Sequence, residues 1–257
     1  MSVLDPNYLL SVLLVFVRIS GLMLAAPFFN QQAFPLRVRV LFAFVLAYSL
    51  TGLVAEPLPA HVFHAFGFMA AVGVEAMTGL VMGFAVQFVF FAVQFAGEII
   101  GFQMALGIAQ VFDPVNGQSA NPMGRLLSRF FMLMFVPVDG HHAVLRALGQ
   151  SFAVVPLGGA SIQASGPLLL DWTGDFFTLA LRLSAPFMIV IFLIDVTLGV
   201  FARIVPQADL FSLSLPLKLG LGMAIAYFYV QNLVPIIPGM VDAMTGDLLQ
   251  LLEAIAP

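Results

Sequence analysis

No cysteine occurs in the chain, which removes disulfides, thiolate metal sites and cysteine nucleophiles together. Charge is almost as scarce: 9% of the 257 residues are Asp, Glu, Lys or Arg, where a soluble domain carries roughly 25%. So few charges cannot cover a water-facing surface. The net charge is −4 and no basic run occurs, so no nucleic-acid partner is expected. The motifs of catalysis are missing too: no Walker loop, no dinucleotide fingerprint, no His-Glu-x-x-His and no nucleophile elbow. Four histidines are present, His61, His64, His141 and His142. His61 and His64 share a helix face without a nearby carboxylate to complete a ligand set, and His141-His142 sits at a loop edge. No metal, cofactor or enzymatic activity is expected.

What fills the chain instead is hydrocarbon: 61% of residues are hydrophobic and the mean hydropathy is +1.08. The expected fold is all-α, a multi-helix polytopic membrane protein of long kinked helical hairpins. About six hydrophobic segments precede a C-terminal amphipathic helix. Tyr8 to Phe29 is long enough to cross the roughly 30 Å hydrocarbon core. It lacks a basic flank and an early cleavage signal, so it is expected to be retained as a span. Arg18 sits near its middle. A guanidinium at that depth costs about 2.5–3.5 kcal/mol on insertion scales, so it should face protein, water or a carboxylate. The pair Arg37 and Arg39 marks the cytoplasmic side by the positive-inside tendency, which puts the N-terminus outside. Leu36 to Ala55 reads as the second span.

From His61 to Phe112 no proline interrupts the chain. As one helix this run would be roughly 75 Å long, so it must break or extend beyond the hydrocarbon. Glu75, Gly79, Gly83, Gln87, Gln94, Glu98 and Gly101 recur at intervals that place them along one helical face. Glycines four apart let helices approach closely, and the amide and carboxyl groups can hydrogen-bond across the contact. Packing within the chain and an interface with other subunits both fit this stripe. Its two glutamates suit other subunits or water. The run then breaks at Asp113-Pro114, passes through Asn116 and Gly117, and restarts after Pro122. Non-helical backbone at membrane depth survives only inside protein or beside water, which makes this break the first candidate for a functional element; an ordinary solvent loop between two spans is the alternative.

Met123 to Pro137 and Ala143 to Phe152 read as helical pieces. Leu168 to Val205 contains Pro186, an expected kink, and Asp195 at membrane depth. The turn Pro206-Gln207-Ala208-Asp209 leads to Leu215–Val234. In the tail, Val241, Met244, Leu248, Leu251, Leu252 and Ile255 form one apolar face. Asp242, Thr245, Asp247, Gln250 and Glu253 fill the other, so docking on a helix suits it better than an anionic lipid surface. Two function classes compete: a subunit of a multi-protein translocation pore, and a stand-alone secondary transporter or channel for a small solute. A transporter would show internal symmetry between halves, and none is visible. The stripe, the tail and the overlong helices favour the pore subunit.

Several stretches, taken in order, resemble one family. They are Val17-Arg18-Ile19-Ser20-Gly21, Ala26-Pro27-Phe28 and Pro35-Leu36-Arg37-Val38-Arg39-Val40. Further along come Ala96 to Met104, Asp113-Pro114, Gly140-His141-His142, and the run from Arg203 to Lys218 that includes Pro206, Gln207, Asp209 and Phe211. Together they resemble the flagellar biosynthetic protein FliR family, which includes an equivalent subunit of virulence type III secretion systems. Gly-His-His followed by Leu145 and Ser151-Phe152 leans towards the flagellar branch.

The resemblance implies a single copy in an export gate, with two other small membrane subunits present in several copies each. The gate is a pore for unfolded export substrates in the bacterial inner membrane, at the flagellar basal body. It implies one export-gate domain over 1–257. Residues 1–166 form an N-terminal helical part with a plug loop at about 107–122, including Gly107, Phe112, Asp113, Pro114, Asn116, Gly117 and Pro122. A hairpin follows at 167–238 and the tail at 239–257. Pro206, Gln207, Asp209 and Phe211 would form the cytoplasmic entrance, met by the substrate-switching membrane subunit. The chain departs from the family pattern at Asp209, where an amide is expected. It departs again at Ala105, where the pattern has glycine, so the helix into the plug is expected to be stiffer. The methionine ring of the family's pore belongs to a partner subunit and is not carried onto Met104 or Met123.

Overall fold

Helix starts and stops follow local chemistry throughout the computed structural model, which describes residues 6–29, 35–54, 58–106, 121–207 and 209–256. Helix α1, Pro6–Ala25, opens on a proline whose missing N–H would have been unpaired in any case. Helix α2, Leu36–Leu50, runs beside α1 and closes where the Thr51 hydroxyl donates to the Ala47 carbonyl at 2.6 Å. Helix α3, Ala65–Gln103, is 39 residues long, about 58 Å at 1.5 Å per residue. Of the two ways to accommodate the long apolar run, the chain takes an unbroken helix that exceeds the hydrocarbon thickness.

Helix α4 spans Pro122–Phe135 and α5 spans Gly140–Val154. Helix α6, Ser165–Ile204, stays helical on both sides of Pro186, and α7, Leu210–Leu233, does so around Pro216. Helix α8 covers Ile237–Ile255. No strand occurs among the described residues. Each expected hydrophobic segment is largely helical over its described residues. Among the described residues, four helical runs are long and apolar enough to cross a membrane: Asn7–Ala25, Ala65–Gln103, Ser165–Ile204 and Ser212–Ile255. Helix α2, with 15 residues, reaches only about 22 Å and falls short of the roughly 30 Å core.

The chain divides into two compact units. The first comprises Met1–Val89, Val136–Thr173 and Gly239–Pro257; the second comprises Phe90–Phe135 and Gly174–Pro238. In the first, α1 and the N-terminal part of α3 approach with almost no side chain between them. A β-carbon at Gly21 would stand 2.6 Å from the Ala76 carbonyl, and one at Gly83 would stand 2.6 Å from the Leu22 carbonyl. One at Gly79 would overlap the Arg18 carbonyl. Such contact is how small residues gain dispersion energy where lipid offers no hydrophobic drive. Helix α8 buries Val241, Met244, Leu248, Leu251, Leu252 and Ile255, the face expected from its periodicity. Asp242, Gln250 and Glu253 stay exposed. The face is covered by the chain itself, and the Ile255 carbonyl accepts from Ser161 N at 2.8 Å.

In the second unit α6 and α7 form the expected hairpin. The Tyr229 hydroxyl donates to the Leu183 carbonyl at 2.6 Å, and its ring meets Phe187 edge-on, centroids 5.1 Å apart. A ring cluster of Phe90, Phe131 and Phe135 joins α3 to α4 in the same unit, with centroids of 4.8 and 5.2 Å from Phe90.

Candidate functional site

Arg18 is wholly buried, and so is Glu75. Arg18 Nε donates to Glu75 Oε2 at 2.6 Å and Nη2 donates to Oε1 at 3.0 Å, a bidentate pair between α1 and α3. Nη2 also reaches the Val155 carbonyl at 3.1 Å. Nη1 reaches the Ser151 carbonyl at 3.0 Å and Ser151 Oγ at 3.1 Å. The guanidinium carries five N–H donors, and five contacts are made. The Phe152 ring lies 4.6 Å from its central carbon, adding a cation–π contact. Glu75 Oε1 accepts in turn from Gly158 N at 2.7 Å. Gly158 has φ +75°, a conformation glycine adopts at no steric cost. A buried ion pair offsets its desolvation only when every remaining donor and acceptor is matched, and here they are. Arg18 therefore faces a carboxylate, and Glu75 is withdrawn from any outward surface.

The rest of the stripe is used differently along its length. Gly79 and Gly83 meet α1, as described above. Gln87 and Gln94 are half-buried. Glu98 and Gly101 lie in the second unit, where α3 ends and α4 begins. Glu98 Oε2 accepts from Asn121 N at 3.2 Å. A β-carbon at Gly101 would overlap the Asn121 amide, and one at Gly97 would stand 2.5 Å from the Gly124 α-carbon. Asn121 caps α4 by accepting from Met123 N at 3.1 Å, the standard use of asparagine at this position. Pro122 follows as the first helical residue. Two helix ends are thus clamped together on either side of residues 107–120. Of the expected plug residues only Pro122 is described; Gly107, Phe112, Asp113, Pro114, Asn116 and Gly117 lie outside the described residues.

The end of α3 explains the departure at Ala105. Ala105 N donates to the Phe102 carbonyl at 3.0 Å and Leu106 N to the Gly101 carbonyl at 2.9 Å, the paired bonds of a Schellman cap. Ala105 has φ 60°. That is the position where such caps favour glycine, because a β-carbon crowds the left-handed conformation. The alanine accepts that conformation and α3 stops there. Met104 is buried, and its side chain fills the space beside Gly222 of α7, where a β-carbon would stand 2.6 Å from Met104 Cγ.

Asp195 on α6 pairs with Lys218 of α7 at 2.5 Å, so the membrane-depth carboxylate has a cation across its own hairpin. Pro206 and Gln207 are exposed at the hairpin turn. Asp209 caps α7: Oδ1 accepts from Ser212 N at 3.3 Å, and Oδ2 accepts from the Ser212 hydroxyl. A carboxylate there also complements the positive end of the helix dipole. The side chain of Phe211 lies outside the described residues. Sequence reasoning missed the acceptors around Arg18, namely Ser151, Val155 and the loop glycine Gly158. The only signal for them was a buried arginine that demanded partners.

Fold and composition together define a polytopic α-helical membrane protein in which buried or membrane-depth charges pair across helices. Residues 9–244 match the family described as "Bacterial export proteins, family 1". The chain is 30% identical over 243 residues to the "Flagellar biosynthetic protein FliR" of Escherichia coli (strain K12), covering 93% of this chain and 90% of that protein. It is 31% identical to the FliR protein of Pectobacterium carotovorum subsp. carotovorum over 244 residues, with the same coverages of 93% and 90%. The FliR protein of Bacillus subtilis (strain 168) is 30% identical over 231 residues, 86% of this chain and 88% of that protein. The chain belongs to the FliR family of bacterial export proteins, and is a membrane-embedded export component of flagellar biosynthesis.

Proposed function

We propose that the chain is a non-enzymatic subunit of the flagellar type III protein export gate. It forms part of the wall and the plug of a pore for unfolded flagellar substrates. The continuous family match over residues 9–244 carries this reading. The gate sits in the inner membrane at the flagellar basal body. This chain is present in one copy with two other small membrane subunits, and the substrate-switching subunit meets the turn at Pro206, Gln207, Asp209 and Phe211.

The plug assignment falls on residues 107–122, and the clamp at their flanks supports it. A pore that admits any unfolded sequence cannot close through sequence-specific hydrogen bonds, so it needs steric closure by a tethered loop. Asn121 held by Glu98 and seated against Gly101 fixes the two helix ends between which residues 107–120 are tethered. Prolines and glycines within it, Pro114 and Gly117 among them, disfavour continuation of either helix across it. The outward parts of the stripe, Gln87 and Gln94, remain available to other subunits.

The test removes Val115–Ala120 from the chromosomal gene. The expected result is a gate that still co-purifies as a complex and a membrane that leaks small ions. An assembled gate with unchanged permeability rejects the plug. Loss of this gene without loss of flagella or of substrate export rejects the function as a whole.

A further inference from the structure

The N-cap and first turn of α5 gather three side chains that the export role does not use. Asp139, His141 and His142 each offer one ligand atom, and these atoms all lie within 4.8 Å of one another. Asp139 adopts φ 59°, a conformation aspartate tolerates better than most residues. From there its carboxylate Oδ1 stands 2.9 Å from His142 Nδ1. The His141 ring stacks on Phe28, centroids 6.0 Å apart, and lies tilted against His142, centroids 4.1 Å apart. That stacking limits its rotation. Its Nδ1 is buried and has no hydrogen-bond partner among the described residues, which is unusual for an imidazole nitrogen in a folded protein.

We infer that Asp139, His141 and His142 form a binding site for a borderline divalent transition-metal ion of the zinc class. Two imidazole nitrogens and one carboxylate oxygen are the donor set of Zn²⁺ and its neighbours. Ca²⁺ and Mg²⁺ call for oxygen ligands instead. Zinc–ligand bonds of about 2.0–2.2 Å in a tetrahedral site set ligand atoms roughly 3.4 Å apart, so the Asp139–His142 pair, now 2.9 Å apart, would open slightly to admit the ion. The short carboxylate–imidazole hydrogen bond would be replaced by two bonds to the ion. Water would complete the coordination, because Asp139 and His142 are exposed. An open groove of about 770 Å³ runs past His142, Leu145 and Arg146 and gives the ion access. A bound ion would fix the start of α5, the helix that carries Ser151 and Phe152 to Arg18.

The test uses the full-length chain with an affinity tag free of histidine, purified in mild detergent. It is titrated with ZnCl₂ by calorimetry and with CoCl₂ for visible absorption. One equivalent of zinc should bind, with cobalt bands of a nitrogen–oxygen site. Asp139→Asn and His142→Asn each replace an exposed side chain and should weaken binding by about tenfold or more. His64→Ala should leave it unchanged. Absence of saturable zinc binding overturns the assignment, as does wild-type affinity in the Asp139→Asn/His142→Asn double variant. Preference for CaCl₂ or MgCl₂ over ZnCl₂ overturns the class of ion. If His141→Gln also loses zinc while retaining the helical signal of the parent protein, the third ligand is established. Retained affinity in that variant removes it.

Discussion

Replacing Glu75 with leucine removes the carboxylate from a cluster in which it satisfies two of the guanidinium nitrogens and one backbone N–H. Arg18 would keep Ser151 and Val155 as acceptors, but its charge would be buried without a counter-ion. Breaking a buried pair from one side costs about 3–5 kcal/mol. That is a large share of the roughly 5–15 kcal/mol that holds a typical domain folded. Arg18→Leu should cost a similar amount by stranding the carboxylate. The double variant Arg18→Leu/Glu75→Leu removes both charges. Exchange of a buried pair for apolar residues is often neutral or better. The main remaining debt is then the Gly158 N–H, about 1–3 kcal/mol for an unpaired buried donor. The double variant should therefore be more stable than either single one, a coupling that additive sites do not show. Reversible unfolding in mixed detergent micelles measures all four proteins, and swimming in soft agar reports on function. Single variants within 1 kcal/mol of the parent, a limit well below the 3–5 kcal/mol estimate, would refute the reasoning. So would a double variant equal to the sum of the singles.

Gly83→Leu should destabilise the first unit by about 1–3 kcal/mol or more, the usual penalty for overpacking, because the Leu22 carbonyl and Ala25 stand where the side chain would go. The same unfolding measurement checks it, and the complex with partner subunits should be lost with it. Ala105→Gly should stabilise the end of α3. Relief of a left-handed alanine is worth about 1–2 kcal/mol, less about 0.4–1 kcal/mol for the freer unfolded chain. A higher thermal midpoint is expected, and a lower one contradicts the cap. Asp209→Asn should keep the cap of α7, since asparagine caps as well as aspartate, whereas Asp209→Ala should cost about 0.5–2 kcal/mol. Amide exchange at Ser212 distinguishes the two.

Periodicity was legible where a helix has one dry face. The six apolar positions that the 3.6-residue spacing selects in the tail are all buried in α8, and the spans of α1, α3, α6 and α7 follow from runs of apolar sequence. Capping was half legible: Asn121 before Pro122 is a local signal, but the meaning of Ala105 needed the hydrogen bonds to Phe102 and Gly101. The tail is expected from residue 239, yet α8 starts at Ile237, since Pro238 is welcome in a first turn. Asp139-Gly140-His141-His142 stood in plain view as punctuation. Its convergence depends on a left-handed backbone that no composition rule announces.

From the amino-acid order alone came the all-α class, the membrane setting, the long helices and the family, because each depends on hydropathy, short-range periodicity or motif order. The sequence also showed that Arg18 needs a partner. Only the fold could name Glu75, Ser151, Val155 and Gly158, which lie up to 140 positions away along the chain. Likewise, only close approach revealed that Gly79 and Gly83 are spent on α1 and Gly97 and Gly101 on the start of α4. A glycine stripe encodes the capacity for contact. Which surface fills it is decided by long-range geometry, and that geometry appears only when the chain has folded back on itself.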